Sequence, residues 1–167
     1  MTTLVFPGQG SQKLGMGREL FERHSALVER AEAVLGYSLR EVCEDERLHQ
    51  TQYTQPALFV VNALHWLEWR EREGREPDGA AGHSLGEYDA LFAAGAFDFE
   101  TGVRLVRKRG ELMGQARDGG MAAVIGLAPE RTREVLARLG VDSLDVANDN
   151  APTQHVLSGP KPDLERV

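Results

Sequence analysis

The chain has 167 residues, of which 41% are hydrophobic, a formal net charge of −7 and a single cysteine. This composition suits a globular protein of one domain, or one and a part, and the negative charge argues against a broad electrostatic grip on nucleic acid. The sequence shows no signal peptide and no apolar run near the ~20 residues of a membrane span. A single cysteine allows no disulfide framework, so we expect a cytoplasmic protein in which Cys43 is buried.

The first elements alternate between strand and helix. The run "TLVF" at Thr3–Phe6 predicts a buried strand that ends in the turn "PGQG". Apolar residues at helical spacing predict one helix over residues 17–36. The stretch "TQPALFVVNALHWLEW" at residues 54–69 predicts a buried helix, with Thr54 as its cap and Pro56 in its first turn.

The middle of the chain follows the same alternation. The residues "GAAGH" at 79–83 predict a short strand, and a helix is expected from about Leu85 to Ala94. Asp98 is a good cap for the next helix. Gly110 within that helix is an anomaly, because glycine costs about 1 kcal/mol against alanine in a helix.

The pattern changes after the loop "ARDGG" at residues 116–120. A strand at residues 121–127, a helix begun by Pro129, a hairpin at 144–159 and a helix from Lys161 make up most of a split β-α-β layer whose last strand is absent. The final helix is left with nothing to pack against.

Ser84 is the strongest catalytic candidate. It lies in the pattern Gly-His-Ser-Leu-Gly at residues 82–86, between a predicted strand and a predicted helix, which is the setting of a nucleophile elbow. Glycines are needed there because side chains would collide in so tight a turn. The turn also points backbone N–H groups at an oxyanion formed on the serine. The alternative is a tight turn without catalytic function.

A serine nucleophile needs a base, and the histidines offer no convincing one. His83 adjoins Ser84 on a sharp turn and is expected to pack or to shape a pocket. His24 and His65 lie on earlier helices and fit surface or packing positions, while His155 in the hairpin is a weak candidate.

Four stretches together resemble the malonyl-CoA:acyl-carrier-protein acyltransferase family, especially the free-standing, trans-acting enzymes of polyketide synthase systems. They are "FPGQGSQKLGMG" at 6–17, "TQYTQPALFVVNAL" at 51–64, "AGHSLGEYDALFAAGAFDFETGVRLVRKRGELM" at 81–113 and "GGMAAVIGL" at 119–127. The resemblance implies an α/β fold: an α/β-hydrolase-like large subdomain, here residues 1–118, and an inserted, incomplete ferredoxin-like small subdomain, residues 119–167.

The resemblance also implies roles for single residues. Ser84 matches the nucleophile, and the backbone N–H groups of Gln9 and Leu85 match the oxyanion hole. Arg109 matches the arginine that holds the free malonyl carboxylate, and a guanidinium suits this role because it forms a bidentate fork. The alternative for Arg109 is a place in the solvated basic run "RLVRKR".

Further residues are implied with less support. Gln55, Asn148 and Asn150 match polar residues near the family's site. Asp149 and His155 stand where relatives usually carry aromatic or apolar residues, which bears on substrate selectivity. The family's histidine base lies beyond residue 167, so we expect the chain to be the N-terminal part of such an enzyme, with the remainder in the same or a second chain.

The function implied is malonyl transfer from malonyl-CoA to the phosphopantetheine thiol of an acyl carrier protein, with no metal or redox cofactor. Carrier proteins are acidic, so Arg104, Arg107 and Lys108 are candidates for docking, or else form a solvated helix face. The alternatives are an editing acyl hydrolase of the same fold, a general esterase, and a non-catalytic remnant that binds carrier protein.

Overall fold

A computed structural model describes residues 1–116 and 118–167. Within these residues the chain divides into two compact units, Met1–Gln115 and Ala116–Val167. The assignment of these regions to hydrolase-like and ferredoxin-like subdomains, with a boundary after residue 118, stays a prediction.

The first unit pairs two short strands in parallel and surrounds them with helices. Thr3 lies opposite Gly79 and Phe6 opposite Gly82, so the carboxyl ends of both strands meet at one edge. The elements are β1 (Thr3–Phe6), α1 (Arg18–Arg23), α2 (Ser25–Leu35), α3 (Leu39–Glu44), a 3₁₀ turn (Glu46–His49), α4 (Thr51–Glu73), β2 (Gly79–Gly82), α5 (Gly86–Ala93) and α6 (Phe99–Gln115).

Helix α4 forms the centre of this unit. Every residue from Thr54 to Leu64 is buried, which confirms the predicted buried helix. The predicted start was wrong, because α4 begins at Thr51, with Gln50 rather than Thr54 as its cap. Thr54 is buried inside the helix and its hydroxyl donates to the Leu48 carbonyl at 2.6 Å. Pro56 consequently lies in the second turn, where it removes one helical hydrogen bond.

The single helix predicted over residues 17–36 is two helices. The backbone leaves helical geometry at His24, where φ is −116°, and His24 ends α1 and caps α2. Its Nε2 lies 3.0 Å from Glu68 Oε1, so a contact with α4 holds the break in place. The apolar spacing alone does not reveal this break, because Phe21 and Val28 are buried on either side of it.

The glycine anomaly in α6 is explained by packing. A Cβ on Gly110 would lie 3.1 Å from both the Gln52 Cα and the Thr51 carbonyl oxygen. Gly102, two turns earlier, meets the buried Phe59 ring in the same way. Because the atoms facing Gly110 belong to the backbone of α4, they cannot move aside easily. Gly110 therefore lets α6 approach the start of α4 closely.

The second unit is a three-stranded antiparallel sheet in the order β3-β5-β4, with helices on one face. Its elements are β3 (Gly119–Ile125), α7 (Pro129–Leu139), β4 (Asp145–Ala151), β5 (Gln154–Pro160) and α8 (Lys161–Leu164). The expectation that the last helix lacks a packing surface was wrong. Leu164 packs against a core that includes Leu136 and Leu157, and the Ser143 hydroxyl donates to Asp163 at 2.6 Å. The strands already present offer α8 an apolar face.

None of the helices in the described part of the chain combines the length and apolarity that a membrane crossing requires.

Candidate active site

Ser84 occupies a strained turn between β2 and α5. It is the only non-glycine residue with a positive φ, 54°, among residues 1–116 and 118–167. Such a backbone costs of order 1–3 kcal/mol and persists only where its surroundings impose it. Here the surroundings are crowded, because a Cβ on Gly86 would lie 2.2 Å from the Phe6 carbonyl oxygen. The turn leaves the Ser84 side chain exposed, as an elbow requires.

The crowding at Gly82 predicts a large effect on folding. A Cβ on Gly82 would lie 1.9 Å from the Gly86 carbonyl carbon and oxygen, so Gly82→Ala is expected to lower the free energy of unfolding by about 3 kcal/mol through overpacking. Gly79→Ala on the same strand is the matched control, because its Cβ meets nothing closer than 3.8 Å. Urea denaturation of both variants tests this, and equal stability of the two would contradict it.

The first turn of α5 begins two residues after Ser84. The N–H groups of Gly86, Glu87 and Tyr88 bond to the carbonyls of His83, Ser84 and Leu85, three residues back in each case. The Leu85 side chain is fully buried, which fixes the position of its backbone. A helix amino end favours negative charge. The oxyanion role of the Leu85 N–H stays a prediction that this geometry allows.

A polar chain connects Ser84 to three other predicted site residues. Arg109 donates from Nη2 to Ser84 Oγ at 2.8 Å and from Nη1 to Gln55 Oε1. Gln55 Nε2 donates to Gln9 Oε1 at 3.1 Å, and Gln9 Nε2 donates to Thr51 Oγ1 at 3.0 Å. The fold therefore brings Gln9, Gln55, Ser84 and Arg109 together, although they are distant in sequence.

Arg109 differs from its basic neighbours. Arg104 and Lys108 are exposed, whereas Arg109 is half-buried and its guanidinium lies 5.8 Å from the centre of the Tyr88 ring, at cation–π distance. Within the described residues, no acidic side chain forms an ion pair with Arg109. Arg107, by contrast, pairs with Glu111 at 2.9 Å. The cation beside Ser84 thus faces hydroxyl, amide and aromatic groups rather than a carboxylate.

Asp89 was missed by sequence reasoning. It lies on α5, is fully buried, and accepts a hydrogen bond from Asn62 Nδ2 at 2.9 Å. Its Oδ1 has no hydrogen-bond partner among residues 1–116 and 118–167. Burial raises the pKa of Asp89 from 3.8 to about 8, against the lowering effect of the Asn62 bond. A lone aspartate in the Ala-rich segment after Ser84 was the available signal. Thr51 and Tyr88 carried no local signal.

The remaining candidates are placed as follows. Cys43 is buried, as predicted, and burial raises the pKa of its thiol to about 12. His155 is fully buried and hydrogen-bonds to Thr132 at 3.0 Å, so it belongs to the interior of the second unit. Asn148 and Asn150 lie on β4 of that unit, and their role in the site stays a prediction. No group of three or more His, Cys, Asp or Glu side chains in the described chain is arranged to hold a metal ion.

Comparison with known proteins decides the family. A family model described as an acyl transferase domain matches residues 3–167. The chain belongs to the acyl transferase domain family. The resemblance inferred from the sequence motifs is confirmed.

Among curated relatives, the polyketide biosynthesis protein PksE of Bacillus subtilis is 57% identical over all of this chain and 22% of its own length. The polyketide biosynthesis malonyl CoA-acyl carrier protein transacylase BaeC of Bacillus velezensis is 54% identical over all of this chain and 59% of its own length. The chain thus spans less than two thirds of the length of each of these relatives.

A solved structure allows the fold to be compared as well. The malonyl CoA-acyl carrier protein transacylase of Burkholderia pseudomallei superposes with a TM-score of 0.94 at 53% identity, over 98% of this chain and 58% of that one. The predicted α/β fold class of this acyl transferase family is therefore confirmed.

Proposed function

We propose that this chain carries the nucleophile and the acyl-selecting arginine of an acyl-carrier-protein S-malonyltransferase. The observation that carries the proposal is the 2.8 Å hydrogen bond from Arg109 to Ser84 Oγ, made by a cation without a carboxylate partner among the described residues. A substrate with both a thioester and a free carboxylate would engage both residues, the thioester at Ser84 and the carboxylate at Arg109. Malonyl-CoA is such a substrate, and the relative BaeC is named for it.

The reaction proceeds in two transfers through Ser84. Its Oγ attacks the thioester carbonyl of malonyl-CoA while a base takes the hydroxyl proton, the C–S bond breaks, and coenzyme A leaves as the protonated thiol. The base that the family resemblance implies is a histidine beyond residue 167. The phosphopantetheine thiol of an acyl carrier protein then attacks the seryl ester, and Ser84 regains its proton.

The oxyanion of each tetrahedral intermediate is assigned to the backbone N–H groups of Leu85 and Gln9. Support comes from rigidity at both positions. Leu85 is fully buried, and the loop after β1 is held by bonds of its own, since the Ser11 hydroxyl donates to the Gly8 carbonyl at 2.8 Å and the Gly10 N–H donates to Gln12 Oε1 at 2.7 Å. Donors fixed before the reaction need no reorganisation as charge develops, which is the source of their effect.

Arg109 is assigned to the malonyl carboxylate. Its Nη1 is anchored by Gln55, which is fully buried, while its Nη2 reaches Ser84. On substrate binding, Nη2 exchanges the neutral hydroxyl for a stronger, charge-assisted bond to the carboxylate, and a second N–H of the guanidinium makes the other bond of the fork. An editing hydrolase, an esterase or a non-catalytic remnant would leave this arginine without a use.

An acidic carrier protein is the proposed acceptor partner. Of the three basic residues considered for docking, Arg107 is occupied by Glu111 and by the Val34 carbonyl oxygen at 2.7 Å. Arg104 and Lys108 are exposed, and Arg104 donates to the neutral hydroxyl of Thr101 at 2.8 Å. The docking surface on α6 is therefore assigned to Arg104 and Lys108.

Intact-protein mass spectrometry after brief incubation with malonyl-CoA tests the proposed function. The protein expressed from its full reading frame should gain one malonyl group, and Ser84→Ala should gain none. Ser25→Ala, which alters an exposed serine on α2, is the matched control and should acylate like the parent. No adduct on the parent would overturn the acyl-enzyme and favour the carrier-binding remnant.

A further inference from the structure

We infer that Thr51 is a positioning residue for acyl-donor selectivity, acting on Arg109 through Gln9 and Gln55. This inference rests on the proposed function. Thr51 bonds to neither Ser84 nor Arg109 but terminates the polar chain that begins at them, since its Oγ1 accepts from Gln9 Nε2 at 3.0 Å.

The direction of every bond in this chain follows from the guanidinium. Arginine can only donate, so the Gln55 amide must turn its oxygen toward Arg109 and its nitrogen toward Gln9. Gln9 must then present its oxygen to Gln55 and its nitrogen to Thr51. The series of bonds therefore ends on an exposed N–H group of Gln9, and the Thr51 hydroxyl gives it a fixed acceptor in place of mobile water while donating in turn to Gln9 Oε1 at 3.4 Å.

The backbone of Thr51 also contacts the helix that carries Arg109. Thr51 is the first residue of α4, and its carbonyl oxygen would lie 3.1 Å from a Cβ on Gly110, the residue after Arg109. The side chain of Thr51 thus contacts Gln9, and its main chain faces α6. This double contact makes Thr51 the point at which the loop and the arginine are held in register.

The consequence is specific to one class of donor. Without the Thr51 acceptor, the Gln9 amide is free to rotate, Gln55 loses its fixed acceptor, and the Nη1 anchor of Arg109 loosens. A malonyl group depends on the resulting angle of the guanidinium fork because its carboxylate is held there. An acetyl group has no carboxylate and does not depend on it.

Thr51→Val and Thr51→Ser in the full-length protein test this inference. In steady-state acyl transfer, Thr51→Val should lower kcat/KM for malonyl-CoA about fivefold, the equivalent of one neutral hydrogen bond, and leave that for acetyl-CoA within about twofold. Thr51→Ser retains the acceptor and should keep the parent ratio of the two donors. Thr51→Ala removes the acceptor in a good helix former, and should reproduce Thr51→Val if valine impairs folding.

A double-mutant cycle separates the route through Gln55 from a general effect. In a Gln55→Leu background the series of hydrogen bonds is already broken. Adding Thr51→Val should therefore cause no further change in the ratio of kcat/KM for malonyl-CoA to that for acetyl-CoA. An unchanged ratio in Thr51→Val, or equal losses for both donors, would overturn the inference while leaving the proposed function intact. Absence of malonyl transfer by the parent would instead overturn the proposed function.

Discussion

Arg109→Ala is expected to lower malonyl transfer from malonyl-CoA by about a thousandfold and acetyl transfer by less than about tenfold. The difference arises because two charge-assisted hydrogen bonds to a carboxylate, at about 2 kcal/mol each, are lost with one donor only. The structure supports this size, since Arg109 is half-buried and its Nη1 is held by Gln55. Arg109→Lys keeps the charge but loses the bidentate fork, so its rate of malonyl transfer should lie between those of the parent and Arg109→Ala.

Single-turnover acylation of the full-length protein by each donor measures this effect without the carrier protein. Lys108→Ala is the matched control, because Lys108 is the preceding residue, has the same charge and is exposed. It should acylate with both donors at the parent rate. Equal losses for malonyl and acetyl in Arg109→Ala would remove the carboxylate role and leave Arg109 as a partner of Ser84 alone.

Asp89→Asn is expected to stabilise the protein at neutral pH. The folded carboxyl has its pKa raised to about 8 from 3.8, so the folded state keeps a proton that the unfolded state releases. The contribution of Asp89 to the free energy of unfolding is therefore fully present below pH 3.8. It falls by about 1.4 kcal/mol per pH unit as pH rises above 3.8 and levels off beyond pH 8. The amide of Asp89→Asn does not ionise, so the free energy of unfolding of this variant should exceed that of the parent by about 4 kcal/mol at pH 7.

Urea denaturation of Asp89→Asn and the parent between pH 4 and pH 8 measures the difference in stability. The gap should be small at the acid end and widen with pH. Asp98→Asn is the control, because hydrogen bonds from Thr101 lower the pKa of Asp98 below 3.8, so its ionised form is already complete in both states above about pH 5 and the gap between that variant and the parent should not change from there to pH 8. A gap for Asp89→Asn that does not change with pH would mean that Asp89 is ionised in the fold.

Short-range signals predicted well. The Asp98 cap is confirmed, since its Oδ1 accepts from the Thr101 N–H at 2.7 Å, and the helix begun by Pro129 is confirmed as well. Each depends on atoms within one helical turn. The predicted cap at Thr54 failed because the preceding 3₁₀ turn supplies an acceptor, the Leu48 carbonyl, that binds the Thr54 hydroxyl inside the helix.

The amino-acid sequence alone was enough to locate the elbow at Ser84 and the family, because the steric demand of Gly-His-Ser-Leu-Gly lies within five consecutive residues. The surroundings of Ser84 were decided by tertiary structure. The chain from Thr51 through Gln9 and Gln55 to Arg109 joins a loop and two helices, and the pKa of Asp89 depends on burial beneath other elements. Hydrogen bonding and desolvation act through space, so they exist only once these segments are packed together.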